Sequence, residues 1–279
     1  MEMRKLYLNN GYIIVKDFFK KDDLNYIKKK FSNHSNNLST KEIFDDLEIK
    51  KLFLNEAFFN LIKKILDSNK LVYFSDSSIV RHENIFSTTN GYHNDSRAED
   101  YNYSKEYPLL RVATYLQEST NTSGGIKIKP QSHKYFCFTL RDVKQKMKTI
   151  LKKFLNNDKN FKLKIFTSGI QPKLDLGDII IWNLRTHHSG TAIKFKYFKN
   201  LSLHPLVEKF LPNFVKIPCL NRIAIFMVFG KELSEEKNLE NYINDRHSRY
   251  KYVYENMDKL KSEFTNYNIK FIPSKKIDD

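Results

Sequence analysis

Two rhythms divide the chain. Between residues 20 and 68 apolar residues recur every three or four positions, the spacing of a helix face. Asp22-Asp23 opens such a stretch through Leu24, Ile27 and Phe31, and the spacing predicts a second helical stretch over 41–67, through Phe44, Leu47, Leu52, Phe53, Phe58, Leu61 and Ile65. A strand, Gly11 to Phe19, precedes them. From residue 70 the apolar residues fall instead into short, β-branched runs. Strands are predicted at 71–74, 78–82, 109–116, 125–129, 162–166, 178–182 and 222–229, many of them separated by Gly, Asn, Asp, Ser or Pro. Helices are expected at 142–155 and in the tail, 233–264. Many short strands broken by turns indicate a sandwich, jelly roll or barrel. The expectation is an antiparallel β core with helices packed outside it.

Nothing in the composition divides this pattern. The chain has 279 residues and is 41% hydrophobic, enough for one sizeable core. With no Pro-, Gly- or Ser-rich linker and no repeat, a single domain is expected: a mainly helical part at about 20–68, the β core at about 70–230 and a helical tail at about 232–265. The N-terminus lacks the apolar core of a signal peptide, and the longest purely apolar run, Ile223 to Phe229, is far too short to span a bilayer. Cys137 and Cys219 are far apart and outside any metal-ligand spacing. A reducing cytoplasm and no membrane partner are therefore expected.

The formal net charge of +16 raises the question of an anionic partner. The lysines are scattered singly or in short clusters such as Lys28-Lys29-Lys30, without an RNP-type motif, zinc-finger spacing or arginine stripe. Nucleic acid is not expected as a partner. A small-molecule substrate is, and the charge favours an anionic or carrier-linked one.

Three segments carry candidate chemistry. In His93-Asn94-Asp95, an extended backbone sends residues i and i+2 to one side, so an imidazole and a carboxylate can meet one cation. These are two corners of the 2-His-1-carboxylate triad of non-haem Fe(II) oxygenases, which leaves coordination positions open. In Gly177 to Gly190 a Gly-Asp turn starts an apolar strand that ends at His187-His188, where a barrel-mouth ligand would sit. Leu116 to His133 reads as a strand, a polar turn through Gly124-Gly125, a second strand and a tight turn at Pro130-Gln-Ser-His133.

In this order the segments resemble the phytanoyl-CoA dioxygenase family of Fe(II)/2-oxoglutarate-dependent oxygenases. The similarity opens at Gly11-Tyr12-Ile-Ile-Val-Lys-Asp-Phe-Phe and closes at Arg222-Ile-Ala-Ile-Phe-Met-Val-Phe-Gly230, covering roughly residues 10 to 250. It implies an α+β, mainly β fold: a double-stranded β-helix (jelly roll, cupin-like) core with Fe(II) at its mouth, using 2-oxoglutarate and O2. The implied ligands are His93, Asp95 and His188, with His187 the alternative distal ligand. The implied cofactor-binding residues are Arg222, whose planar fork suits a carboxylate, with Lys199 as its rival, and Arg111 and Tyr115, which share a strand face. Arg97, Tyr101 and Tyr103 are candidates for the substrate entrance. The insertion 201–220 would serve as a lid over the site or as surface decoration.

Two departures follow from the residues present. Gln131 stands where the family usually has Gly, which costs strain if that position needs a positive φ. Asp95 retains the carboxylate ligand, so hydroxylation is expected and halogenation is not. The alternatives from other classes are a catalytically silent metal-binding β-helix protein and a nucleic-acid-directed member of the oxygenase superfamily.

Overall fold

The alternation of side chains along three central strands sets the architecture. In β3 (Leu109–Tyr115), Leu110 and Val112 point to one face, and Arg111, Ala113 and Tyr115 to the other. β7 (Ile179–Asn183) divides the same way, Ile179 and Ile181 against Ile180 and Trp182. In β11 (Cys219–Lys231), Ile223, Ile225 and Met227 oppose Ala224 and Phe226. Both faces are buried, which is why these strands read as nearly continuous apolar runs. The computed structural model describes residues 2–32, 42–86, 91–96, 106–117, 122–137, 147, 150, 152, 155–156, 163–164, 169–198, 201–232 and 254–273.

These strands are the centre of a six-stranded sheet in the order β1-β7-β3-β11-β2-β12. β1 is Tyr12–Val15, β2 is Leu71–Ile85 and β12 is Ile269–Ile272. Every pairing is antiparallel except β12 on β2. One face is covered by α2 (Lys21–Ser32), α3 (Leu47–Phe53), α4 (Glu56–Leu66) and the C-terminal helix Met257–Thr265. Leu24, Phe53, Phe58, Ile62 and Phe264 of these helices join the outward residues of the sheet in one core. Each such fully buried side chain contributes about 1.5–3 kcal/mol of hydrophobic transfer energy.

The other face curls over a smaller sheet, β4 (Gly125–Ile128) paired with β8 (His188–Ala192). Ile126 and Ile128 of β4 pack on Ala113, Ile180, Trp182 and Ala224. The result is a curled half-barrel with helices outside, the jelly-roll arrangement expected from the sequence.

Several elements differ from the expectation. The helical stretch 41–67 is three pieces: a 3₁₀ turn at Ile43–Asp45, α3 and α4. Asp46 and Asn55 break it by capping, their side chains accepting from Ile49 N (3.2 Å) and Phe58 N (3.0 Å). The strands expected at 71–74 and 78–82 are one strand, with an irregularity opposite Phe226 and Val228. There Ser75 and Ser77 donate to the buried carboxylate of Glu42, as Tyr73 does at 2.7 Å. The helix Glu2–Asn10 and strand β12 were not expected. The expected helix 142–155 and the first part of the tail lie mostly outside the described residues.

Gly11 joins helix Glu2–Asn10 to β1 at φ +81°. Its carbonyl accepts from Asn183 N (2.9 Å) and Thr186 Oγ1 (2.8 Å), which ties β1 to the turn leading into His187-His188. A Cβ there would collide with His133 Nδ1 and Thr186 Oγ1, so both conformation and space require glycine.

Candidate metal centre

The site forms where the segment 91–96 zips onto the start of β8. His93 N donates to His188 O at 2.9 Å, and His188 N donates back to His93 O at 2.8 Å. Two residues on, Asp95 N and Ser96 N both donate to Leu184 O. The i, i+2 relation places His93 and Asp95 on the same side of this segment, and the ladder brings His188 beside them. One ligand atom from each of His93, Asp95 and His188 lies within 4.8 Å of the others. His188 Nε2 is 3.5 Å from Asp95 Oδ2, and the two imidazole centroids are 4.5 Å apart.

The tautomers follow from the partners. His93 Nδ1 lies 3.0 Å from Gly91 O and His188 Nδ1 lies 3.1 Å from Thr186 O. A carbonyl only accepts, so each Nδ1 carries a hydrogen, which makes Nε2 the nitrogen available to a metal. Burial lowers the His188 pKa to about 4, against a partial offset from the Asp95 charge, so the ring is neutral at physiological pH. Two imidazole lone pairs and a carboxylate oxygen converging on one point form a donor set that suits a divalent first-row metal.

His187 faces the other way. Its Nε2 lies 3.2 Å from Asn94 Nδ2, and its backbone N donates to Ser132 Oγ at 2.8 Å. Neighbouring strand residues point oppositely, and it is His188 that the fold brings to His93 and Asp95.

Arg111, Tyr115 and Arg222 all line the inner face. Arg111 is occupied by acids: its guanidinium is 2.8 Å from Asp76 Oδ2 and 3.3 Å from Asp95 Oδ2. Arg222 has a different environment. It is 3% exposed, yet among the described residues no carboxylate pairs with it. Its guanidinium lies over the rings of Tyr115 (5.3 Å) and Phe226 (5.8 Å), and Nη1 is 3.0 Å from His82 Nδ1. Arginine can only donate, so His82 accepts through Nδ1 in its neutral form. Burial, followed by the Arg222 charge, lowers the His82 pKa to about 4. Burial raises the pKa of Tyr115, against the pull of Arg222, and its phenol stays protonated. Trp182 lies between the two regions, its ring 5.2 Å from His188 and 6.3 Å from Phe226. Lys199, Arg97, Tyr101 and Tyr103 lie outside the described residues.

Asp76, His82 and Trp182 were not singled out in the sequence. Asp76 and His82 reach the site from β2, Asp76 through its ion pair with Arg111 and His82 by standing opposite Arg222 of β11. Trp182 could have been found from strand parity, since it shares the inward face with Ile180.

Gln131 adopts φ +65°, the left-handed conformation that glycine usually supplies. The ligand-bearing turn is intact around it: Lys129 N donates to His187 O at 2.9 Å.

No protein-family model matches the chain, and no curated protein matches it. Solved structures do share its fold. HygX from Streptomyces hygroscopicus, with nickel and 2-oxoglutarate bound, aligns with a TM-score of 0.52 at 10% identity, over 83% of this chain and 86% of that one. The epimerase SnoN, in complex with Fe3+, alpha-ketoglutarate and nogalamycin RO, aligns at 0.51 and 14% identity over 82% of each chain. EctD from S. alaskensis, in its apo form, aligns at 0.51 and 12% identity over 82% of this chain and 76% of that one. At such identities the likeness is one of fold.

Proposed function

We propose that this protein is a non-haem Fe(II)- and 2-oxoglutarate-dependent dioxygenase that hydroxylates a small or conjugated metabolite, in the manner of the phytanoyl-CoA dioxygenase family its motifs resemble. The observation that carries the proposal is the pairing of two features in one half-barrel: the convergence of His93, Asp95 and His188, and a buried guanidinium, Arg222, with no carboxylate partner among the described residues. HygX and SnoN, which share the fold, were solved with a metal and 2-oxoglutarate or alpha-ketoglutarate.

In this reading His93 Nε2, His188 Nε2 and a carboxylate oxygen of Asp95 hold the iron. Bound there, Fe(II) supplies O2 activation coupled to decarboxylation of 2-oxoglutarate to succinate and CO2. The protein's part is positioning. The hydrogen bonds from Nδ1 to Gly91 O and Thr186 O fix both imidazoles in the ligating tautomer. Arg222 takes the distal carboxylate of 2-oxoglutarate in a charge-assisted pair, and in this reading the protonated Tyr115 hydroxyl donates to the same group. His82, as the neutral acceptor, holds the guanidinium without competing for its charge. Phe226 and Trp182 keep this part of the pocket dry, which strengthens the pairing. Arg111, engaged by Asp76 and Asp95, orients the metal-ligating carboxylate.

The test is Fe(II)- and O2-dependent formation of succinate from 2-oxoglutarate, screened with candidate small or conjugated metabolites as the oxygen acceptor. Separate alanine variants of His93, Asp95 and His188 are expected to abolish it while remaining folded. A variant set in which His187→Ala is inactive and His188→Ala is active would refute the ligand assignment.

A further inference from the structure

The segment between β9 (Lys194–Phe195) and β10 (Lys216–Ile217) is anchored at its ends and at Glu208, yet several of its large apolar side chains are exposed. β9 and β10 pair antiparallel, and Lys196 N donates to Val215 O at 3.0 Å. Beyond this short ladder, Tyr197 and Phe214, the latter in the 3₁₀ turn Asn213–Val215, are exposed by 74% and 70%. Between them lies the short helix Pro205–Phe210. Its Glu208 points inward and pairs with Lys127 of β4, both fully buried, and Lys127 also donates to Leu203 O at 2.8 Å. A buried ion pair adds little net stability, but it fixes orientation, because breaking it strands a charge. With Glu208 pinned inward, Val207 and Phe210, three residues apart, point outward; Phe210 is 88% exposed. Phe198 (65%) and Leu220 (62%) extend the same exposed segment.

Soluble surfaces seldom carry so many large apolar residues in one short segment. The exposed charges along this stretch of chain have one sign. Between Asp178 and Glu232 the only acidic residue is Glu208, and it is buried, whereas Lys196 and Lys209 are exposed. A second copy of this chain would bring a like-charged surface to the contact. Aromatic side chains projecting beside lysines match instead the boundary of a bilayer, where rings settle at headgroup depth and lysines meet anionic lipid.

We infer that the exposed aromatic and basic side chains of residues 196–198 and of the 201–220 insertion dock on an anionic lipid surface. Docking of this kind needs no membrane-spanning helix, and none of the described helices is long and apolar enough to be one. The inference does not depend on the proposed oxygenase chemistry.

Co-sedimentation tests it, with the full chain and vesicles of phosphatidylcholine alone or mixed with phosphatidylserine. The wild type is expected to pellet with the mixed vesicles and not with phosphatidylcholine, and to be released by high salt. Phe210→Ser with Phe214→Ser, and separately Lys196→Glu with Lys209→Glu, are expected to lower the partition at least tenfold. All four positions are exposed, so these variants should keep the wild-type thermal midpoint. A wild type that stays in the supernatant with both vesicles overturns the inference, as do variants that bind like the wild type. It is equally overturned if light scattering shows a lipid-free dimer that the Phe210→Ser/Phe214→Ser variant dissolves, because the face would then join two copies.

Discussion

Arg111 Nη1 stands 3.3 Å from Asp95 Oδ2, the same oxygen that lies 3.5 Å from His188 Nε2. A cation so close to a metal-binding carboxylate would compete with the metal, but Asp76, 2.8 Å from the guanidinium, offsets its charge. Asp76→Asn removes that offset and lets the full charge of Arg111 bear on Asp95. The variant is expected to weaken Fe(II) binding by on the order of tenfold, the usual scale for a group that supports a ligand. An anaerobic Fe(II) titration measures it, and an unchanged midpoint would deny Asp76 this role.

Arg222 makes a prediction of a different kind, because its proposed partner is the cosubstrate. Losing a charge-assisted pair costs about 1.5–3 kcal/mol, roughly a 10- to 100-fold change in affinity. Arg222→Ala is expected to raise the 2-oxoglutarate requirement by that factor and to leave Fe(II) binding nearly unchanged. Lys199→Ala is expected to change it far less. Succinate formation measured against 2-oxoglutarate concentration separates the two.

Three histidines make the fold sensitive to acid. Burial is the first cause in each case, holding His82, His133 and His188 at about 4 against an ordinary 6.5. The unfolded chain therefore binds more protons than the folded one between those values, and stability falls as the pH falls through that window. The thermal midpoint of the metal-free protein is expected to hold above pH 6.5 and to drop steadily toward pH 4. A flat midpoint across this range would show that these rings are not buried in neutral form.

Gln131 carries a small, removable strain. Its left-handed φ of +65° costs a non-glycine residue roughly 1 kcal/mol, and its side chain is exposed. Gln131→Gly is expected to stabilise the protein by about 1 kcal/mol or slightly less, since glycine also loses more chain entropy on folding. Urea unfolding at constant slope measures this.

Much of the architecture was legible because both faces of the central sheet are buried, which leaves apolar runs in the sequence at β3, β7 and β11. His93 and Asp95 were legible because the i, i+2 relation needs only an extended backbone. The choice between His187 and His188 was not, since a strand's parity is fixed only by its partner; here His93 supplies it through a two-way ladder. The polar residues of β2 were also hidden. Asp76 lies within the irregularity at Ser75–Ser77 that splits the apolar pattern, and His82 gains its meaning only from pairing with Arg222. Helix Glu2–Asn10 buries only Tyr7 fully, too little apolar periodicity to read. The parallel strand β12 is short, with two of its four residues buried.

The most direct test of the central claim is an anaerobic titration of the metal-free protein with Fe(II) and then 2-oxoglutarate, watching for the visible metal-to-ligand charge-transfer band. The band is predicted to grow in proportion to protein, to vanish in His188→Ala and to need far more 2-oxoglutarate in Arg222→Ala. Iron that binds without producing the band would contradict the assignment of Arg222 and its pocket. Failure of iron to bind at all would leave the protein sharing the oxygenase fold without its chemistry.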